Sequence, residues 1–153
     1  ILGKKIGERG QMAPCTGILI EKPGFLSYLS GIENLRLLAS IKKIATETQL
    51  NKLLDLFGLL PDADTKVKNY SLGMKQKLGI IQALMEEPKI ILLDEPFNGL
   101  DDESRRLTKQ IIQEYRIAHN ATFLITSHVE TDFIKLCDHV LVLEEGQLFA
   151  QTL

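Results

Sequence analysis

The chain has 153 residues, and its 44% hydrophobic and 25% charged fractions are those of one ordinary globular domain with a sizeable core. The 18 Lys and Arg residues against 20 Asp and Glu residues give a net charge of −2, so the overall charge does not indicate a nucleic-acid or anionic-membrane partner. No apolar run approaches the roughly 18 residues that span a bilayer, so another segment or chain must supply any membrane anchor.

The first part of the chain predicts short strands at Ile1–Ile6 and Thr16–Ile20, followed by a loop around Pro23 and Gly24. No Met, basic n-region or apolar signal segment stands at Ile1, and we expect the chain to be a piece of a longer protein. Cys15 and Cys137 form no C-x-x-C pair, which fits free thiols in a reducing cytoplasm better than a metal or redox site.

The stretch from about Ser30 to Met85 predicts helices and no convincing strand. Thr46 and Gln49 match a capping box, and Gly58 follows where a helix C-terminal cap belongs. Apolar stripes at helical spacing lie in two places, Leu50, Leu53, Leu54 and Phe57 and then Leu78, Ile81, Leu84 and Met85, the second being stopped by Pro88. We interpret this stretch as a helical subdomain inserted into an α/β layer.

Three short apolar segments predict buried parallel strands: Ile90–Leu93, Ala121–Thr126 and Val140–Leu143. A helix is expected between the first two, with Asp101, Asp102 and Glu103 at its start and Leu107, Ile111 and Tyr115 along one face. Val129, Phe133 and Leu136 fit a shorter helix between the second and third strands. This alternation is typical of a doubly wound α/β layer.

The first strand of this alternation ends in two adjacent carboxylates, Asp94 and Glu95. The carboxyl edge of a parallel sheet is where α/β proteins bind ligands. One acid there can hold Mg²⁺ while its neighbour polarises an attacking water. The alternative interpretation is a strand end followed by a solvated acidic turn.

A second candidate site is the helix start Tyr70-Ser-Leu-Gly-Met-Lys-Gln-Lys77. Ser71 is a good N-cap, Gly73 permits close approach of the backbone to a ligand, and the free N–H groups attract a phosphate. Plain helix capping beside solvated lysines is the alternative.

A third candidate is His128, just past the end of a predicted strand. A histidine there can hydrogen-bond a phosphate and an attacking water, whereas a lone histidine is more often a capping or core residue.

The order and spacing of these motifs resemble the nucleotide-binding subunits of ATP-binding cassette (ABC) transporters along essentially the whole chain. Ser71-Leu-Gly-Met-Lys-Gln76 resembles the signature motif, in a sequence variant similar to that of bacterial transporters for bacitracin and lantibiotic self-protection. Ile90–Glu95 resembles the Walker B strand, Asn98-Gly-Leu-Asp101 the D-loop, and Thr126-Ser-His128 the switch-histidine region.

The resemblance implies a P-loop NTPase-like α/β fold, with a parallel sheet core and a helical subdomain. Residues 1–26 would be the remainder of the N-terminal core, 27–87 the helical subdomain ending in the signature helix, and 88–153 the part with Walker B, D-loop and switch histidine. The G-x-x-x-x-G-K-[ST] loop that cradles phosphates is not in the sequence, and the family has it upstream of Ile1.

The same resemblance implies residue roles in a complete subunit that binds ATP and Mg²⁺. Asp94 would hold Mg²⁺, Glu95 would be the general base, and His128 would contact the γ-phosphate. Ser71 and Gly73 would reach the γ-phosphate of a second subunit in a head-to-tail dimer, and Asp101 would link the two sites. A transmembrane permease would be driven from the cytoplasmic face, with no nucleic-acid partner.

Glu21 lies where the family's Q-loop usually has Gln, in Ile18-Leu-Ile-Glu21-Lys-Pro-Gly-Phe25. The resemblance assigns this position to Mg²⁺ and to coupling with the membrane subunit. A carboxylate can bind Mg²⁺, but it adds negative charge near the γ-phosphate. A surface turn built on Pro23 and Gly24 is the alternative.

Two other functions are compatible with the motifs: a soluble ABC ATPase acting on ribosomes or nucleic acid, and a catalytically inert fragment. Because the strand Ala121–Thr126 normally pairs with the P-loop strand, its edge is expected to be open here. We therefore expect the chain alone to be poorly stable, aggregation-prone or oligomeric.

Overall fold

The computed structural model describes residues 15–21, 23–129 and 136–151. In chain order, the elements are strand β1 (Thr16–Leu19), helices α1 (Gly31–Lys42), α2 (Glu47–Leu56) and α3 (Leu72–Leu84), strand β2 (Ile90–Asp94), helix α4 (Asp102–His119), and strands β3 (Thr122–Thr126), β4 (Val140–Glu144) and β5 (Gln147–Gln151). Single 3₁₀ turns at Leu60–Asp62 and Val67–Asn69 join α2 to α3. The expected strand at Ile1–Ile6, and most of the short helix expected after Val129, lie outside the described residues.

Local capping explains where the helices of the predicted helical stretch begin. Thr46 caps α2 in the predicted capping box with Gln49, and Ser30 caps α1 in a second box with Glu33. Gly58 lies two residues beyond the end of α2 with a φ of +66°, as its C-terminal position predicts. The helical character of this stretch is thus confirmed, while the subdomain boundaries at residues 26 and 87 stay a prediction.

The first sheet consists of three parallel strands in the order β1-β2-β3. Their registers align Leu19 with Leu93 and Asp94 with Thr126. Parallel strands joined by helices confirm the α/β class, and they place the carboxyl ends of all three strands at one edge.

Helices α3 and α4 pack against the same face of this sheet. Gly17 on β1 faces the carbonyl of Ala83 on α3, where a side chain at position 17 would clash. Tyr115 on α4 meets Phe123 of β3 edge to face, at 5.8 Å between ring centroids. Residues one position apart on a strand face opposite ways, so the buried face carries Leu19, Ile91 and Leu93.

The outer strand β3 is less buried than the sequence predicts. Thr122, Leu124 and Thr126 are exposed, and the side chain of Leu124 is 60% accessible. Within the described ranges β3 pairs with β2 on one side only, so its other edge is open there, as expected. Burial on both faces, however, was a wrong expectation for this strand.

The prediction of a third parallel strand at Val140–Leu143 is wrong. The segment forms β4, which pairs antiparallel with β5 in a separate two-stranded sheet. Leu141 and Leu143 are 57% and 67% exposed. A short apolar run has the same composition in a buried parallel strand and in a hairpin, and only the turn after it distinguishes them.

Among the described residues, no helix has the length and the apolar composition needed to cross a bilayer.

Candidate functional site

The carboxyl edge of the sheet brings together the end of β2 and the end of β3. Asp94 is the last residue of β2 and lies opposite Thr126, the last residue of β3. The Thr126 hydroxyl donates a hydrogen bond to Asp94 Oδ1. The sheet register therefore fixes the orientation of the Asp94 carboxylate.

Glu95 follows with a φ of +48°, in the left-handed region that a non-glycine residue rarely adopts. Its N–H donates to both the carbonyl and the hydroxyl oxygen of Thr126, at 3.2 Å each. Its carbonyl accepts from Gln76 Nε2 at 3.0 Å and from the Asn98 N–H at 3.2 Å. The peptide groups on both sides of Glu95 are thus held by the end of β3, by α3 and by a turn bond within their own loop.

His128 contacts the side chain of Glu95. The imidazole Nδ1 lies 2.9 Å from Glu95 Oε1. This is an ion pair when the ring is protonated and a hydrogen bond from Nδ1–H when it is neutral. The Glu95 side chain is 29% exposed and that of His128 71%, so the pair is open to a ligand from solvent.

Glu21 approaches Asp94 through its backbone. The Glu21 N–H donates to Asp94 Oδ2 at 3.4 Å, and Glu21 itself has a φ of +53° and is exposed. The segment after β1 therefore reaches the acidic edge, as the sequence predicts, with a main-chain donor. A role of the Glu21 carboxylate as a metal ligand stays a prediction.

The acidic edge is compatible with Mg²⁺, although it is not a complete metal cage. No three His, Cys, Asp or Glu side chains of the described ranges are grouped so that they could hold a metal ion. Mg²⁺ is usually held by one or two carboxylates together with waters and substrate phosphates. Among the described residues, each Asp94 oxygen accepts one hydrogen bond, which leaves it a lone pair for a further contact.

The start of α3 forms a second group of candidate residues. Ser71 is the N-cap, and its hydroxyl oxygen accepts from the Met74 N–H at 3.1 Å. Gly73 packs so closely on the following loop that a Cβ there would lie 2.8 Å from the Gly99 carbonyl oxygen. Gly99 has a φ of +73°, and a Cβ on it would lie 2.6 Å from Leu72 Cγ.

Asp101 caps the helix that follows this loop. Its Oδ1 accepts from the Ser104 N–H at 2.7 Å, and hydrogen bonds with Ser104 hold the pKa of the Asp101 carboxyl below its usual range. The carboxylate is therefore charged at neutral pH and exposed beside the start of α3, with Lys77 as a further favourable charge.

The structure thus brings the predicted residues into two groups. The first group lies at the sheet edge and consists of Asp94, Glu95, His128 and the backbone of Glu21. The second group lies around the loop at Gly99 and consists of Ser71, Gly73 and Asp101. Gln76 joins the groups by its bond to the Glu95 carbonyl.

The contacts of two residues of this site, Gln76 and Thr126, could not be predicted from the sequence. Both residues belong to candidate motifs, but their contacts depend on which way each side chain turns. Only the position of Gln76 one turn into α3, on the side of Leu72 and Gly73, could have indicated a contact with the neighbouring loop.

The chain is similar to known proteins in both sequence and structure. Residues 4–98 match the ABC transporter family. The bacitracin transport ATP-binding protein BcrA of Enterococcus faecalis is 38% identical over 132 residues, which is 86% of this chain and 43% of the relative. The ABC transporter ATP-binding protein YybJ of Bacillus subtilis is 36% identical over 148 residues, or 97% of this chain and 67% of the relative.

A solved structure gives the same result at the level of the fold. It is described as the ATP binding subunit of an ABC transporter, and it superposes with a TM-score of 0.78 at 28% identity, covering 90% of this chain and 58% of that one. The chain spans less than half the length of several of these relatives, including BcrA and the ABC transporter ATP-binding protein YdbJ of Bacillus subtilis.

Proposed function

The chain belongs to the ABC transporter ATP-binding family, and from that premise we propose that the complete subunit hydrolyses ATP to power a membrane permease. The observation that carries the proposal is the meeting of Asp94, Glu95 and His128 at one sheet edge, with 2.9 Å between His128 Nδ1 and Glu95 Oε1. An acid for the cation, a second acid for water and an imidazole at the same edge suit phosphoryl transfer to water, which depends on positioning and on electrostatic stabilisation.

The roles follow from the hydrogen bonds of each side chain. Asp94 would hold Mg²⁺, directly or through water, with the lone pairs that Thr126 and Glu21 leave free. The bound cation would offset the negative charge of the ATP phosphates. Glu95 orients the attacking water and accepts its proton, and His128 restrains the Glu95 carboxylate by the contact at Oε1.

The start of α3 serves a second subunit. Its exposed N-terminus, with Ser71 as cap, presents N–H groups to a phosphate anion, while the Cβ position of Gly73 faces the Gly99 carbonyl. In a head-to-tail dimer these groups would bind the γ-phosphate held by the partner. Asp101, exposed and charged on the adjacent loop, would connect the two sites.

The phosphate cradle is a separate element of this proposal. The 153 residues contain no G-x-x-x-x-G-K-[ST] loop, whose amides and lysine bind the β- and γ-phosphates. We therefore place the cradle outside these residues.

The segment at Glu21 would couple the ATP site to a permease. The subunit would then act at the cytoplasmic face of the membrane, and no nucleic-acid partner is proposed.

The test is the replacement of Glu95 by Gln in the complete subunit. Loss of the proton acceptor at unchanged shape should lower kcat by about 10²-fold or more, within the range of general-base effects. ATP binding should persist and trap an ATP-bound dimer, which sedimentation detects. Glu145→Gln, in the turn between β4 and β5, is the matched control and should keep wild-type turnover. Unchanged steady-state turnover in Glu95→Gln would refute the assignment.

A further inference from the structure

Gln76 is a buried amide on helix α3. Only 4% of the residue is exposed, and Ile80, one turn further along the same face, is fully buried. Burying an amide is unfavourable unless it is hydrogen-bonded. The Nε2 group of Gln76 meets this requirement by donating to the Glu95 carbonyl oxygen at 3.0 Å.

The backbone of Glu95 needs such support because of its conformation. A φ of +48° places its Cβ close to its carbonyl oxygen, which is unfavourable for a non-glycine residue. Thr126 holds the N–H side of Glu95, whereas Gln76 and the Asn98 N–H hold its carbonyl side. Of these three partners, Gln76 is the side chain that comes from a separate helix.

We propose that Gln76 is a positioning residue for ATP hydrolysis, because it fixes the left-handed backbone of Glu95 and thereby aims the Glu95 carboxylate. The proposal rests on the proposed function, in which Glu95 is the general base. Gln76 touches neither nucleotide nor water in this role. Its effect passes through the carbonyl of Glu95.

The test replaces Gln76 by Met in the complete subunit, which keeps the length of the side chain and removes its donor. Gln82→Met, two turns further along α3 and half-buried, is the matched control. We expect kcat to fall roughly 10- to 100-fold in Gln76→Met, the scale of a small misplacement of a reacting group, with KM for ATP within twofold of wild type. Gln82→Met should keep both constants.

Amide hydrogen exchange of residues 94–100, without nucleotide, gives a second readout that is independent of activity. Gln76→Met should raise the exchange rate at Glu95 and Asn98 about tenfold and leave α1 and α2 unchanged, because only the bonds around Glu95 are weakened. Wild-type exchange in this segment, or a loss of protection throughout the molecule together with a parallel change in kcat and KM, would overturn the proposal.

The two readouts also separate this proposal from the function it rests on. If the wild-type subunit does not hydrolyse ATP, the proposed function fails and so does the positioning role. If the wild type is active and the kcat of Gln76→Met is unchanged, only the role of Gln76 fails.

Discussion

Asp94 and Glu95 are adjacent in sequence but have different surroundings. Asp94 ends a regular strand, and its carboxylate accepts from Thr126 and Glu21. Glu95 has left the strand through a left-handed backbone, and its carboxylate meets His128. The change of backbone direction at Glu95 therefore gives the two carboxylates different partners, which matches the separate roles proposed for them, Asp94 toward a cation and Glu95 toward water.

The acids and the histidine could be predicted because each follows an apolar run, and strand ends have a known location in α/β folds. Thr126 and Gln76 could not, because the sequence does not show which neighbouring element a side chain will face. Thr126 acts through the register that pairs it with Asp94, and Gln76 through the approach of α3 to the loop after β2.

Tyr70, just before the Ser71 cap, makes the stability dependent on alkaline pH. Burial raises its pKa to about 12, and its hydroxyl donates to the Asp62 carbonyl at 2.8 Å. The unfolded chain loses this proton near pH 10, so stability is full below about pH 10 and falls between about pH 10 and 12.

Tyr70→Phe should therefore reduce the fall in the free energy of unfolding between pH 9 and 11, measured by urea denaturation. At pH 7 it should cost about 1 kcal/mol for the lost hydrogen bond. Burial also raises the pKa of Tyr115, so Tyr115 should maintain the remaining loss of stability at alkaline pH in this variant. An equal slope in wild type and Tyr70→Phe would contradict the assignment.

At the scale of elements, β2 and β3 lie within one residue of their predicted bounds, whereas β4 belongs to a different sheet than predicted. The residues that decide the pairing of β4 are Glu145 and Gly146, in the turn after it, where φ is +48° and +80°. Two consecutive residues with positive φ form the kind of turn that closes a two-residue antiparallel hairpin. The apolar run before it carried no information on its partner.

The contact between α3 and the loop after β2 depends on Gly99. Gly99→Ala should destabilise the protein by about 1–3 kcal/mol, because it adds a methyl group 2.6 Å from Leu72 Cγ to the strain of a φ of +73°. Gly58→Ala is a matched control, since Gly58 has a φ of +66° with no atom within 4 Å of an added Cβ, and it reports strain alone.

Urea denaturation gives the loss in free energy of unfolding for both variants, and the difference between the two losses is due to the clash. The double variant Leu72→Ala, Gly99→Ala should regain the free energy lost to the clash and keep the loss due to backbone strain. Equal costs for Gly99→Ala and Gly58→Ala would show that α3 does not press on the loop.

At the scale of the whole molecule, the described sheet has helices on one face and an open outer edge at β3. The fold class was predictable from the alternation of apolar runs and amphipathic helices. The exposure of Leu124 was not, because burial depends on what lies beside the sheet and the strand sequence alone does not contain that information.

The 153-residue chain by itself should bind ATP more weakly than about 1 mM, a free energy of about 4 kcal/mol, because it has no P-loop to cradle the phosphates. Isothermal titration with Mg²⁺-ATP measures this directly. Micromolar binding would show that the phosphates are held by other groups of this chain, such as the start of α3.

The Thr126 hydroxyl donates its one hydrogen bond to Asp94, while its oxygen accepts a hydrogen bond from the Glu95 N–H. The three groups form a one-way relay in which each bond polarises the next. A cation that withdraws electron density from Asp94 would loosen the first bond and, through the hydroxyl, the second. With the cation proposed for Asp94 in place, the hydrogen bond of the Glu95 N–H would therefore change although the Glu95 N–H does not contact that carboxylate.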